Sequence, residues 1–209
     1  MMNKLKFILG MVTMLFTISI ASAQVTASNG EEIAGSPYMD DKYKEGMIYY
    51  GDKNYKAPIR YNAYQDLIEY QQNGKALTLD ANQSIKKVIV GDEVFVPLTP
   101  AGNTKKPGYF ALLDSGKLNL YSKKRIVYMP FKKQGKLDGS DQPAEFKKSP
   151  DIFYFQLGDG QLQEVDNMKS LIASLPDKQD ELTQYVKKEK ISPKKEKDLL
   201  QFVKYYNSL

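Results

Sequence analysis

Two serines each stand three residues ahead of a lysine, Ser84…Lys87 and Ser192…Lys195. On a helix this spacing sets an amine one turn from a hydroxyl, the arrangement that activates serine in penicillin-recognising enzymes. The S-D-N and K-T-G companions of that chemistry are missing from the chain. Ser84 leads into a strand-like run, and Ser192 before Pro193 suits a helix cap, so both serines receive structural roles. Paired carboxylates are the second option, because two acids can hydrolyse a glycoside without histidine. Asp40-Asp41, Asp66 with Glu69, Asp80, and Asp92-Glu93 are the available acids. Asp66 and Glu69 fall on opposite sides of a strand at 67–71, and turn chemistry accounts for Asp92, so no pair stands out.

The absences are more decisive. The chain has no His and no Cys. Without His it lacks the commonest metal ligand and the commonest general base near neutral pH. Ser-His-Asp and Cys-His catalysis are excluded, as are disulfides and thiolate metal sites. Asp138-Gly139-Ser140-Asp141 is oxygen-rich but lacks the later acid of a calcium loop. No catalytic residue, metal ligand or cofactor site is assigned.

Tyrosine is the suggestive excess, at 15 residues beside 9 Phe and no Trp. Tyr favours strands and keeps a wet hydroxyl on a half-buried body. Several on one exposed sheet face would form a platform for a glycan or a peptide. The segment chosen as the candidate binding site is Arg60, Tyr61, Asn62 and Tyr64, which gathers two aromatic bodies, an amide and a guanidinium at an expected strand end.

The elements that must position these residues follow a leader. Lys4 and Lys6 precede the apolar run Phe7–Ile20, and Ala21-Ser22-Ala23 fits the signal-peptidase pattern. That run of about 14 residues is short of the roughly 20 that a spanning helix needs. Residues 1–23 therefore read as a signal peptide, with periplasmic or extracellular export and no integral membrane segment after cleavage. Residues 24–45 read as a flexible leader. The basic residues come as scattered pairs such as Lys86-Lys87 and Lys147-Lys148, the pattern of solvated loop charge. With export, they give no reason to expect a nucleic-acid partner.

From 46 to 165, short β-branched and aromatic runs recur between turn residues, which predicts an antiparallel β domain. The expected strands are Gly46–Tyr50, Ala57–Tyr61, Leu67–Gln71, Ala76–Asp80, Ile85–Val90, Glu93–Leu98, Tyr109–Leu113, Lys117–Tyr121, Arg125–Met129 and Ile152–Leu157. Asn73-Gly74 and Gly91-Asp92 supply the positive φ of tight hairpin turns. Residues 130–151 carry three prolines and no periodicity, and read as a flexible excursion or a lid. Residues 166–209 switch to helical spacing. Met168, Leu171, Ile172 and Leu175 follow Asn167 as N-cap. Asp177 is placed as cap of a second helix with Leu182, Tyr185 and Val186 on its apolar stripe. Ser192 is placed as cap of a third helix with stripe Leu199, Phe202, Val203 and Tyr206.

The C-terminal run from Leu175-Pro-Asp-Lys through Tyr185-Val-Lys-Lys-Glu-Lys-Ile191 to Leu209, with Gly35-Ser36-Pro37-Tyr38 and Ile59-Arg60-Tyr61-Asn62, resembles a group of uncharacterised exported proteins of Bacteroidota. The resemblance implies an envelope location and transfers no functional residue. The fold expected is mainly β with C-terminal helices (α+β), a sandwich or a curved, partly closed antiparallel sheet with a three-helix element packed on it. The function expected is that of a non-catalytic envelope protein binding a glycan or protein partner through a Tyr-rich sheet face. A carrier of an apolar or lipid ligand and a carboxylate-based hydrolase are the alternatives.

Overall fold

In the computed structural model, residues 33–102, 106–133 and 140–209 are described. The expected signal peptide and residues 24–32 of the expected leader lie outside the described residues. The β region is one antiparallel sheet, with three helices following it in the chain. Its strands are β1 (Lys44–Tyr50), β2 (Lys53–Asn62), β3 (Leu67–Gln72), β4 (Lys75–Leu79), β5 (Ile85–Val90), β6 (Glu93–Leu98), β7 (Gly108–Asp114), β8 (Leu118–Met129), β9 (Glu145–Leu157) and β10 (Gln163–Glu164). Their order across the sheet is β10-β9-β8-β7-β6-β5-β1-β2-β3-β4. The sheet is curved and open, not a two-sheet sandwich.

Tight turns set this order. Asn73 (φ 52°) and Gly74 (φ 75°) both take the left-handed conformation between β3 and β4, as a primed hairpin turn demands. Gly91 (φ 59°) does so between β5 and β6, and Gly51 (φ 54°) between β1 and β2. Chain neighbours therefore pair, with one exception: β5 returns across the β2–β4 arm to pair with β1.

Two of the expected strands, Lys117–Tyr121 and Arg125–Met129, are a single strand, β8, whose pairing with β9 slips register between Lys123 and Arg125. The expected excursion at 130–151 is in large part structured. Glu145–Pro150 belongs to β9, and Lys132 and Gln142 exchange two backbone hydrogen bonds of 2.9 and 3.0 Å. The sequence hid this because Phe146 is the only large apolar residue from 143 to 151, and Pro143 and Pro150 interrupt that stretch. Pro150 sits at the slip, where ladder bonding is already broken. Residues 134–139 of the expected excursion lie outside the described residues.

The same sheet face carries two cores. One joins Leu118, Leu120, Phe153 and Phe155 to helices α1 (Met168–Ala173), α2 (Gln179–Glu189) and α3 (Glu196–Ser208) through Leu171, Leu182, Leu199, Phe202 and Val203. Asn167 caps α1 as its type predicts, accepting a bond from the Ser170 N–H at 2.9 Å. α2 instead begins after Lys178 in the left-handed conformation with no side-chain cap, not at Asp177. α3 begins one turn later than expected, and Ser192 N–H donates to Asp198 at 3.0 Å. At the other end of α3, the Asn207 amide closes a pair of bonds with the backbone of Leu118, at 2.8 and 3.0 Å.

The second core lies where the sheet curls, among Ile48, Ile59, Tyr61, Ile68, Val88, Phe95, Tyr109 and Ile126. A strap, residues 34–39, spans the opening of the curl. Ala34 bonds to the backbone of Ala144 and Phe146 at the start of β9, and Met39 N–H donates to the Tyr61 carbonyl of β2. These residues belong to the stretch read as leader, and from Ile33 onward they are built into the fold. A smaller cluster on the opposite face packs Phe110, Tyr121, Tyr154 and Leu162.

Candidate binding site

Strand alternation separates the four candidate residues. Tyr61 faces the core, is 2% exposed, and its hydroxyl donates to Asp66 at 2.7 Å. Burial, reinforced by the Asp66 charge, pushes that hydroxyl well above the ordinary tyrosine range. Asn62 is also buried; its carbonyl oxygen accepts from Gln65 N–H at 2.9 Å and so shapes the turn after β2. Tyr64 is exposed at 47% and lies edge-on to Phe146, with ring centres 5.1 Å apart. The four do not form one surface.

Arg60 points to the other face and is fully engaged. Its guanidinium carbon lies 3.6 Å from the Tyr38 ring centre and 4.4 Å from that of Tyr43. Its Nε donates to Glu69 at 2.7 Å, and Glu69 also accepts from the Tyr38 hydroxyl at 2.9 Å and from Tyr43. Burial and these bonds to Glu69 push the Tyr43 hydroxyl up to about 12. Burial by itself raises the Glu69 carboxyl, but the three donors and the adjacent guanidinium outweigh it and the pKa is lowered. Glu69 thus contributes its full stabilisation above the ordinary carboxylate range, and loses it as pH falls through its own depressed value. Replacing Glu69 with Gln is expected to cost about 1–3 kcal/mol near neutral pH. Urea unfolding of both proteins should show that difference shrinking in strong acid.

A polar seam runs between the two cores. At the β8 slip, the Ser122 hydroxyl and the Lys124 ammonium both donate to one Asp151 oxygen at 2.8 Å, and Glu196 of α3 lies 3.7 Å from Lys124. Beside it Asp66 pairs with Lys123, which also donates to the Tyr109 carbonyl at 2.9 Å. Burial draws the Lys123 ammonium below the ordinary lysine range against the pull of Asp66. Gly108 lies against this pair: a Cβ there would meet the Lys123 amine at 2.7 Å and the Asp66 carboxylate, so the two side-chain ends would have to shift. Asp66 and Asp151 are thus each committed to a lysine, which is the pattern of structural ion pairs. Among the described residues, no group of three or more acidic side chains is placed to hold a metal ion, and no helix is long and apolar enough to cross a membrane.

The open tyrosine surface lies elsewhere. Tyr50 of β1, Tyr55 of β2 and Tyr70 of β3 border a groove of about 510 Å³ whose floor is Ile48, Ala57 and Leu79. Register builds it: Tyr55 stands opposite Ile48, and Tyr70 opposite both Ile59 and Leu77. Tyr50 and Tyr55 are 43% and 45% exposed. Asn54, Gln71 and Gln72 place amides at the rim, and the single lining charge, Lys56, is paired with Glu45 at 2.7 Å. Sequence reasoning gives Tyr55 no role. Its signal is Gly51-Asp52, the same dipeptide that marks the β5–β6 turn, which fixes how β1 and β2 align.

No family model, curated protein or solved structure matches this chain.

Proposed function

We propose that this is an exported, non-catalytic envelope protein that binds a glycan in the Tyr50–Tyr55–Tyr70 groove. The observation that carries this reading is the rise of those three aromatic bodies from adjacent strands around an apolar floor with amides at its rim. A pyranose offers the matching chemistry, with apolar C–H faces for the rings and hydroxyls for the amides. The near-absence of charge in the groove favours a neutral sugar over an ionic ligand. Export rests on the charged start, the apolar run and Ala21-Ser22-Ala23.

Tyr55→Ala and Tyr70→Ala are each expected to weaken glycan binding by about tenfold to a hundredfold, the scale of a lost aromatic anchor. Titration calorimetry with oligosaccharides selected on a glycan array measures this. A protein that retains no glycan, or whose glycan affinity ignores both substitutions, would overturn the proposal. The apolar floor supports a second reading, carriage of a lipid, for which native mass spectrometry should find an apolar ligand lost in Leu79→Asp.

A further inference from the structure

We propose that the arm where β8 ends docks on an anionic lipid surface, independently of the groove. Met129, Pro130 and Phe131 are three consecutive exposed apolar residues, with Met129 at 48% and Phe131 at 44%. Such runs are avoided on surfaces unless they meet something. Lys132 and Lys133 follow directly, and Lys147 and Lys148 stand exposed on the paired strand. Among the described residues of this arm the acids are Glu145, which lies 3.9 Å from Lys147, and Asp141.

The arm is held, not dangling. Lys132 and Gln142 tie its two sides together, and the strap clamps its root through Ala34. Phe146 packs against Tyr128, with ring centres 5.3 Å apart, at the base. A fixed arm that carries exposed apolar side chains with lysines next to them in the chain and on the paired strand matches the boundary of an anionic bilayer. The apolar groups enter the headgroup and acyl boundary while the amines reach phosphate. A nucleic acid or an acidic protein would use the lysines and leave Met129-Pro130-Phe131 without a role.

The test uses the full chain with vesicles of phosphatidylglycerol and phosphatidylcholine, and with phosphatidylcholine alone. Sedimentation is expected with the mixed vesicles only, and Met129→Ser/Phe131→Ser and Lys132→Glu/Lys133→Glu should each lower the bound fraction at least fivefold. Because the chain has no Trp, Phe131→Trp adds a single reporter whose emission should shift to the blue on binding. All four positions are exposed, so unchanged circular dichroism and melting will confirm the fold of each variant. No sedimentation with the mixed vesicles overturns the proposal. So does binding that survives Met129→Ser/Phe131→Ser, or an emission of the Phe131→Trp reporter that stays unshifted. Equal competition by heparin, with loss only in the lysine variant, would mark a polyanion site instead and also overturn it.

Discussion

A chain ending at Pro176 should show no cooperative melt. It loses Leu182, Ile191, Leu199, Phe202, Val203 and Tyr206, all at most 7% exposed, and uncovers Leu118, Leu120, Phe153 and Phe155 of the sheet. It also loses the Asn207 amide that bonds the Leu118 backbone. The point version is Phe202→Ala. Phe202 is fully buried, so removing the ring combines lost transfer energy with an unfilled cavity, about 3–5 kcal/mol. In a domain of this size that lowers the melting temperature by roughly 10 °C. Calorimetry of the truncated and point variants decides the matter. An unchanged melt in the truncated chain would make the helices an independent module, against the shared core described above.

The second large effect is expected from Asp151→Ala. Its carboxylate holds both Ser122, which is fully buried, and Lys124, whose side chain is 13% exposed. Burial disfavours the Lys124 ammonium, but Asp151 and Glu196 outweigh it and hold its pKa above the ordinary value. A raised lysine pKa gives stability that is fully present at neutral pH and fades only as pH climbs through the folded value. Removing Asp151 leaves the Ser122 hydroxyl without its acceptor and Lys124 facing the more distant Glu196, a loss of about 3 kcal/mol. Asp151→Leu with Lys124→Met should recover much of it, because an apolar pair of similar volume leaves no buried charge behind. Denaturant unfolding of Asp151→Leu, Lys124→Met and their double closes the cycle. A single-substitution loss under about 1 kcal/mol would show that the seam is not a structural ion pair.

Periodicity and turn residues make the strands readable from Gly46 to Leu98. There, short β-branched and aromatic runs stand apart, and three of the hairpins carry Gly at their turn, while the β2–β3 turn takes its positive φ at Asp66 instead. The same logic fails at β8 and β9. A long hairpin with a register slip breaks alternation at Lys123–Arg125, and Pro150 reads as a breaker although the slip tolerates it. The helical stripes are legible because three- and four-residue spacing survives a wrong cap, as at α2 and α3. The tyrosine excess is legible as composition, whereas its location is not. Whether Tyr55 meets Tyr50 and Tyr70 depends on pairing across three strands and on the curl of the sheet. One inconsistency is visible in the sequence itself: Arg60 and Tyr61 are neighbours in an expected strand, so they cannot share a face.

The single return of β5 to β1 divides the sheet into two arms. The arm from β1 to β4 meets the rest along the β1–β5 ladder, through the core they share and through the strap. Gly46 marks that ladder, since a side chain there would strike Ile59 and the Ile89 carbonyl. The turn at 73–74 stands clear of the rest of the sheet, whereas the turn at 51–52 is tied to the start of β5 by the Gly51 N–H bond to the Ser84 carbonyl and by the Asp52–Lys86 pair. The floor of the groove is shared with the second core through Ile48, Ala57 and Leu79, so its shape is tied to the packing of the curl.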